Sequence, residues 1–93
     1  MAPYPLKSKD TAHRTLGEEA VVVNLQSSFF YHLNPVGTFI WEHCDGEHSV
    51  AQIAAALTAE YQVSPEEAAQ DCQQFIGELV TEGLLQWGSG REP

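Results

Sequence analysis

The chain has 93 residues, enough for one domain with a single modest core and too few for a cleft between two lobes. Four Lys and Arg stand against thirteen Asp and Glu, a formal net charge of −9, and Thr15 to Gly90 holds no Lys or Arg at all. Affinity for nucleic acid and for anionic membranes rests on cationic side chains, so this charge pattern argues against both and for a neutral or cationic partner.

With 43% hydrophobic and 18% charged residues, the composition is that of a folded chain. No apolar run approaches the roughly 18 residues that span a bilayer, and no basic segment leads into an apolar one at the start. A cytoplasmic protein is expected. Cys44 and Cys72 fall at apolar helical positions, so both are expected to be reduced and buried.

Residues 1–10 carry Pro3, Pro5 and scattered charges without periodicity and are expected to form a mobile arm. Thr11 to Leu16 is a candidate short strand. Gly17-Glu18 then turns the chain into Glu19-Ala20-Val21-Val22-Val23-Asn24-Leu25, a β-branched run and the clearest strand signal. Gln26-Ser27-Ser28 has the length of a hairpin loop, and Phe29 to Leu33 returns antiparallel. A period of two groups Val21, Val23 and Leu25 on one face, and likewise Phe29, Tyr31 and Leu33, and that face is expected to be buried.

Asn34 and Pro35 convert strand into helix: Asn is a strong N-cap, and Pro at the first helical position has its φ preset and lacks only an unneeded N–H. The first helix should run from Pro35 to about Cys44, with Val36, Phe39, Ile40 and His43 or Cys44 inward, and stop at Asp45-Gly46. Trp41 should extend that stripe or cover its edge. Ser49 with Gln52 reads as a capping box opening a second helix that ends near Tyr61.

Ser64-Pro65-Glu66-Glu67 is the strongest local signal, joining an N-cap, a Pro at the first position and acids near the positive end of the helix dipole. A long third helix should follow, with Ala68, Cys72, Phe75, Ile76, Leu79 and Val80 as its apolar stripe and Gly83-Leu84 as a left-handed cap. Leu84 to Trp87 can add an extended piece, and residues 88–93 read as a flexible tail. The expected architecture is therefore α+β and winged-helix-like over residues 11–87, a three-stranded antiparallel sheet followed by three helices in the order βββααα.

Residues fit for catalysis are sparse. His43-Cys44-Asp45-Gly46-Glu47-His48 holds every common zinc-ligand type, but adjacent residues crossing a helix end do not readily build a tetrahedron, and no second ligand pair follows. A helix terminus with a DG turn explains it. No glycine-rich nucleophile turn surrounds a serine, and the plentiful carboxylates sit at solvated positions where acid-base work is not favoured. No catalytic residue, metal or cofactor is expected. A DNA-reading role conflicts with a third helix that exposes Glu66, Glu67, Asp71, Glu78 and Glu82.

Binding remains. Phe29 to Leu33 lies last in the sheet, so its outer edge is expected to be free, and a free edge accepts an added strand. If the third helix flanks that edge, Phe75 and Leu79 can floor a groove, with Asp71 and Glu78 holding cationic or hydroxyl groups of a guest. Phe30 and His32, on the strand's other face, are not explained by core packing.

Leu33-Asn34-Pro35-Val36-Gly37-Thr38-Phe39-Ile40-Trp41-Glu42, then Asp45-Gly46 before Ser49-Val50-Ala51-Gln52-Ile53, then Val63-Ser64-Pro65-Glu66-Glu67 leading to Asp71, Phe75, Leu79 and Gly83-Leu84-Leu85, resembles the PqqD family. Its members are recognition elements for precursor peptides that are ribosomally made and then modified. The resemblance covers about Ala12 to Trp87 and implies no catalytic activity. It also implies capture of a precursor's leader segment as a strand added between the third strand of the sheet and the third helix. Carried over residue by residue, the peptide site is Phe29, Phe30, Tyr31, His32, Leu33, Asp71, Gln74, Phe75, Glu78 and Leu79. Partners implied are the leader peptide and a modifying enzyme, either a radical SAM protein or a leader peptidase. The β-branched second strand and the Leu-Asn-Pro junction are similar to the stand-alone lasso-peptide type. The alternative class is a winged-helix regulator acting through protein contacts, or less readily through DNA.

Overall fold

The computed structural model describes residues 4–88. Its elements run β1 (Tyr4–Lys7), β2 (Thr11–Leu16), β3 (Glu19–Asn24), β4 (Phe30–Leu33), α1 (Pro35–Glu42), α2 (Val50–Tyr61), α3 (Pro65–Thr81) and β5 (Leu85–Gly88). Strands β2, β3 and β4 form a three-stranded antiparallel sheet in that spatial order, and the helices follow it, which is the expected α+β arrangement. The helices cover one face: Ala20, Val22 and Leu33 of the sheet share a buried cluster with Ile40, Ile53, Leu57, Cys72, Ile76 and Leu79.

Local chemistry sets the helix ends. Asn34 Oδ1 accepts the Gly37 N–H at 2.8 Å, with Pro35 in the first turn. Ser49 Oγ accepts from Gln52 N at 3.1 Å while Gln52 Oε1 accepts from Ser49 N at 2.8 Å, a complete capping box. Ser64 Oγ accepts from Glu67 N at 3.1 Å, with Glu66 and Glu67 in the first turn. At the far end of α3, Gly83 takes φ +78°, its N–H bonding Val80 O at 3.1 Å and that of Leu84 bonding Leu79 O at 2.8 Å. This double bond closes the helix and delivers buried Leu84 into the core. Helix α1 stops at Glu42, with His43 as its C-cap, slightly before the expected end.

Tyr4–Lys7 are not a mobile arm. They form β1, which pairs antiparallel with β5 through Tyr4↔Gly88, Pro5↔Trp87, Leu6↔Gln86 and Lys7↔Leu85. A strand of four residues is too short to show periodicity, and its partner lies at the other end of the sequence. Pro5 is buried, its carbonyl accepts from Gly46 N at 2.9 Å, and Ser8 N bonds Leu84 O at 3.0 Å. Gly88, expected in the tail, belongs to β5; the rest of the expected arm and tail, residues 1–3 and 89–93, lies outside the described residues.

The buried face of β3 is the opposite of the expected one. A three-residue loop would pair Leu25 with Phe29, but Asn24 N bonds Phe29 O at 2.8 Å instead, and the loop is Leu25 to Ser28, with Ser28 at φ +65°. Val22 then stands opposite Tyr31, and Ala20 opposite Leu33. A shift of one residue reverses every side chain on a strand, so Ala20 and Val22 are buried while Leu25 is 60% exposed. Asn24 explains the choice. Its Oδ1 accepts from Gln26 N at 2.9 Å and Ser27 N at 3.2 Å, and its Nδ2 donates to the Glu82 carbonyl at 3.0 Å, tying the hairpin to the end of α3.

Trp41, 1% exposed, is buried in the core and extends the α1 stripe, the first of the two expectations for it. The His13 ring meets it edge-on at 5.8 Å, and Lys7 Nζ lies 5.2 Å from its centroid while donating to the Cys44 carbonyl at 3.2 Å. Its indole N–H is buried without a hydrogen-bond partner among the described residues.

Candidate functional site

Strand β4 pairs with β3 on one side and is the edge of its sheet on the other. In an antiparallel ladder, residues alternately turn their main-chain groups towards and away from the partner. Because Asn24 and Phe29 form a bonded pair, Tyr31 and Leu33 also face β3, which leaves the N–H and C=O of Phe30 and His32 pointing off the open edge. Side chains alternate too. Tyr31 and Leu33, opposite buried Val22 and Ala20, turn towards the helices, whereas Phe30 (64% exposed) and His32 turn outward.

Next to that edge is a groove of about 510 Å³. Strand β4 lines it with Tyr31, His32 and Leu33; α3 lines it with Asp71, Gln74, Phe75 and Glu78; and the start of α1 contributes Asn34, Val36, Gly37 and Ile40. The α3 residues fall on successive turns of one helical face. The turn at Asn34 brings α1 against α3, and Gly37 permits the contact, since a Cβ there would stand 3.1 Å from Phe75 Cε1 and 3.6 Å from Leu33 Cβ. The His32 ring is 3.1 Å from Glu19 Oε1, a partner across the sheet's outer face, so it is the main chain of His32 that borders the groove.

The groove has an apolar floor and an acidic rim. Phe75, Val36 and Ile40 supply apolar surface, while Asp71 and Glu78 are exposed carboxylates on the α3 wall. Burial, then the charges of Glu78 and Glu82, push the Tyr31 phenol up, which keeps it a hydrogen-bond donor. His32 lies against Glu19 and His48 against Asp45, and among the described residues neither rim carboxylate has a Lys, Arg or His within ion-pair distance.

Of the residues expected at the site, Tyr31, His32, Leu33, Asp71, Gln74, Phe75 and Glu78 come together in one lining. Phe29 lies outside that lining, its ring 5.2 Å from that of Tyr31, and Phe30 lies on the outer face. Leu79 is fully buried in the core, because the α3 stripe that carries it turns into the helix layer and not to the groove. Sequence reasoning missed Asn34, Val36, Gly37 and Ile40. The Asn34-Pro35 junction was their signal, legible as a cap but silent about which surface it borders.

The other polar cluster is a helix end. His43 Nδ1 lies 2.8 Å from Phe39 O, its ring 4.3 Å from that of Phe39, and His48 Nδ1 lies 3.0 Å from Asp45 Oδ1. No set of three or more His, Cys, Asp or Glu among the described residues is arranged to hold a metal ion. Cys44 and Cys72 are buried and free, and burial pushes their thiols up to about 12 and about 11, far from the thiolate form that reacts. No described helix is long and apolar enough to cross a membrane.

An open sheet edge beside a groove with an aromatic floor defines a domain able to accept an added strand. The chain belongs to the family described as coenzyme PQQ synthesis protein D (PqqD), whose family model matches residues 19–85. It is similar in structure to TbiB1, solved in complex with the TbiA(beta) leader peptide, with a TM-score of 0.79 and 25% identity over 95% of this chain and 99% of that one. A lasso peptide synthetase B1 complexed with the leader peptide has the same fold, with a TM-score of 0.79 and 22% identity over 88% of this chain and 96% of that one. No curated protein sequence is a significant match.

Proposed function

We propose that this chain is a non-catalytic adaptor that captures the leader segment of a ribosomally made precursor peptide and presents it to a modifying enzyme. The guest adds as a strand along the open edge of β4, in the groove between β4 and α3. The observation that carries this reading is the coincidence of the two features: the outward main-chain groups of Phe30 and His32 form the open edge of β4, and His32, Tyr31 and Leu33 of that strand line the groove whose floor is Phe75. Membership of the PqqD family and the similarity to TbiB1, itself a leader-peptide complex, support it.

Magnitudes indicate what the guest must supply. Phe30 and His32 each offer one donor and one acceptor, and at about 1 kcal/mol net per hydrogen bond these give about 4 kcal/mol, only about millimolar affinity. Micromolar binding, about 8 kcal/mol, needs guest side chains buried in the groove. The main chain supplies register and the Phe75 floor supplies selectivity.

The partner enzyme in this reading is a leader peptidase of a lasso-peptide pathway, with a radical SAM protein of quinone-cofactor synthesis as the alternative. A winged-helix DNA reader is disfavoured by Glu66, Glu67, Asp71 and Glu78 on α3, the helix that would have to approach phosphates. An amide NMR titration of the labelled chain with leader peptides encoded beside its gene tests the function. Shifts concentrated on Tyr31 to Gly37 and Asp71 to Glu78 are expected; no shift there with any such peptide at about millimolar concentration, where only about 4 kcal/mol is required, rejects the adaptor reading.

A further inference from the structure

Resting on that reading, we infer that the guest strand carries a lysine or arginine two residues from an apolar side chain, both turned towards α3, with the apolar group over Phe75 and the cation against Glu78. The register of β4 carries the argument. Guest residues level with Phe30 and His32 make the main-chain bonds and, by the alternation of a strand, turn their side chains to the outer face. Guest residues level with Tyr31 and Leu33 turn theirs into the groove. Those two positions lie about 6.6 Å apart along the guest.

The α3 wall offers two different environments at that spacing. A Cβ added at Gly37 would lie 3.1 Å from Phe75 Cε1 and 3.6 Å from Leu33 Cβ, so the Phe75 floor stands at the level of Leu33. Asn24 bonds both Phe29, just before β4, and the Glu82 carbonyl at the end of α3, so α3 runs opposite to β4 and Glu78 lies further towards Tyr31 than Phe75 does. Phe75 and Glu78 are three residues apart on the helix, a rise of about 4.5 Å, and the reach of a lysine or arginine side chain covers the difference. Asp71, about 6 Å from Phe75 along the axis in the other direction, holds the opposite end of the rim.

Charge complementarity identifies the occupant. Both rim carboxylates lack an ion-pair partner among the described residues, and Thr15 to Gly90 contains no Lys or Arg that could supply one from the folded core. Lys7 is occupied over Trp41 and at the Cys44 carbonyl. An acidic guest would meet like charge on the helix wall, so the groove discriminates by repulsion as well as attraction.

The test is a selection of random displayed peptides of about eight residues on the immobilised full chain, repeated on Asp71→Lys/Glu78→Lys and on Asp71→Asn/Glu78→Gln. Circular dichroism establishes that each variant is folded. On the parent chain, enrichment of an apolar residue and a Lys or Arg two positions apart is expected. The lysine variant should lose that preference and select Asp or Glu, binding the parent's best peptides about tenfold more weakly. The amide variant should bind them a few-fold more weakly, with less salt dependence. Peptides that bind the groove without a basic residue, or whose affinity is unchanged by both variants, overturn this inference and leave the adaptor reading standing. Failure to select any peptide overturns this inference, and the adaptor reading falls with it only if no leader peptide shifts the groove amides; selection of segments matching the chain's own Lys7 to Arg14 stretch, with accompanying self-association, overturns both.

Discussion

Gly37 on α1 and Phe75 on α3 approach so closely that a single added carbon at position 37 would stand 3.1 Å from the Phe75 ring. Both residues line the groove, and this approach sets α1 against its aromatic floor. Two effects oppose each other in Gly37→Ala: a helix gains up to about 1 kcal/mol from the exchange, and the crowded ring must shift by a few tenths of an ångström. Stability should therefore change by less than about 1 kcal/mol in urea while the Phe75 ring signals move in NMR spectra and leader affinity falls. A large loss of stability with unmoved Phe75 signals would contradict this contact.

The proline test separates strand addition from simple docking. Because the His32 N–H points off the edge, His32→Pro removes no hydrogen bond to β3, whereas Tyr31→Pro removes one. Thermal melts should show His32→Pro folded and Tyr31→Pro destabilised by about 3 kcal/mol or more. Calorimetry should show that His32→Pro has lost most leader binding.

Asn24→Ala should cost about 2 kcal/mol, measured by denaturant unfolding, since it leaves the Gln26 and Ser27 N–H groups and the Glu82 carbonyl without their side-chain partner. Gly83→Ala should be comparably harmful, because φ is +78° there and a Cβ would lie 2.8 Å from Asn24 Nδ2.

These positions mark where sequence reasoning reached and where it stopped. The helix starts at Asn34, Ser49 and Ser64 and the turn at Gly83 are made by residues within a few positions of one another, so local chemistry alone reveals them. The β1 to β5 pairing joins Tyr4 to Gly88, and no local signal encodes a partner so distant. The face of β3 depended on a one-residue difference in loop length, decided by a bond from Asn24 to Glu82 that no periodicity records. The site divides the same way. The edge strand and the α3 face were legible from order and period, but the α1 wall was not, because Gly37 in a helix announces a close approach without naming its partner.

Trp41 tests the core. Trp41→Ala should cost about 3–5 kcal/mol by leaving a large cavity. In Trp41→Phe the smaller cavity is offset by removal of an indole N–H that has no partner, so the cost should be about 1–2 kcal/mol in the same urea titration.

Alkaline pH should unfold the chain through its buried thiols. The Cys44 thiol is raised from 9.0 to about 12 by burial, so the folded state keeps its proton while the unfolded chain releases it. The stability it contributes is intact below pH 9 and declines by about 1.4 kcal/mol per pH unit as pH rises from 9 towards 12, with Cys72 acting in the same direction. Cys44→Val should flatten this alkaline limb in a circular dichroism titration, and thiol reagents at pH 8 should label neither cysteine until the protein unfolds.

Amide hydrogen exchange at β4 measures strand addition most directly. In the free chain Tyr31 and Leu33 should be protected by β3, while Phe30 and His32 exchange as open-edge amides. With saturating leader peptide, Phe30 and His32 should become protected and the other two should change little. A peptide that binds tightly yet leaves the Phe30 and His32 amides exchanging at their free rates would contradict strand addition at this edge.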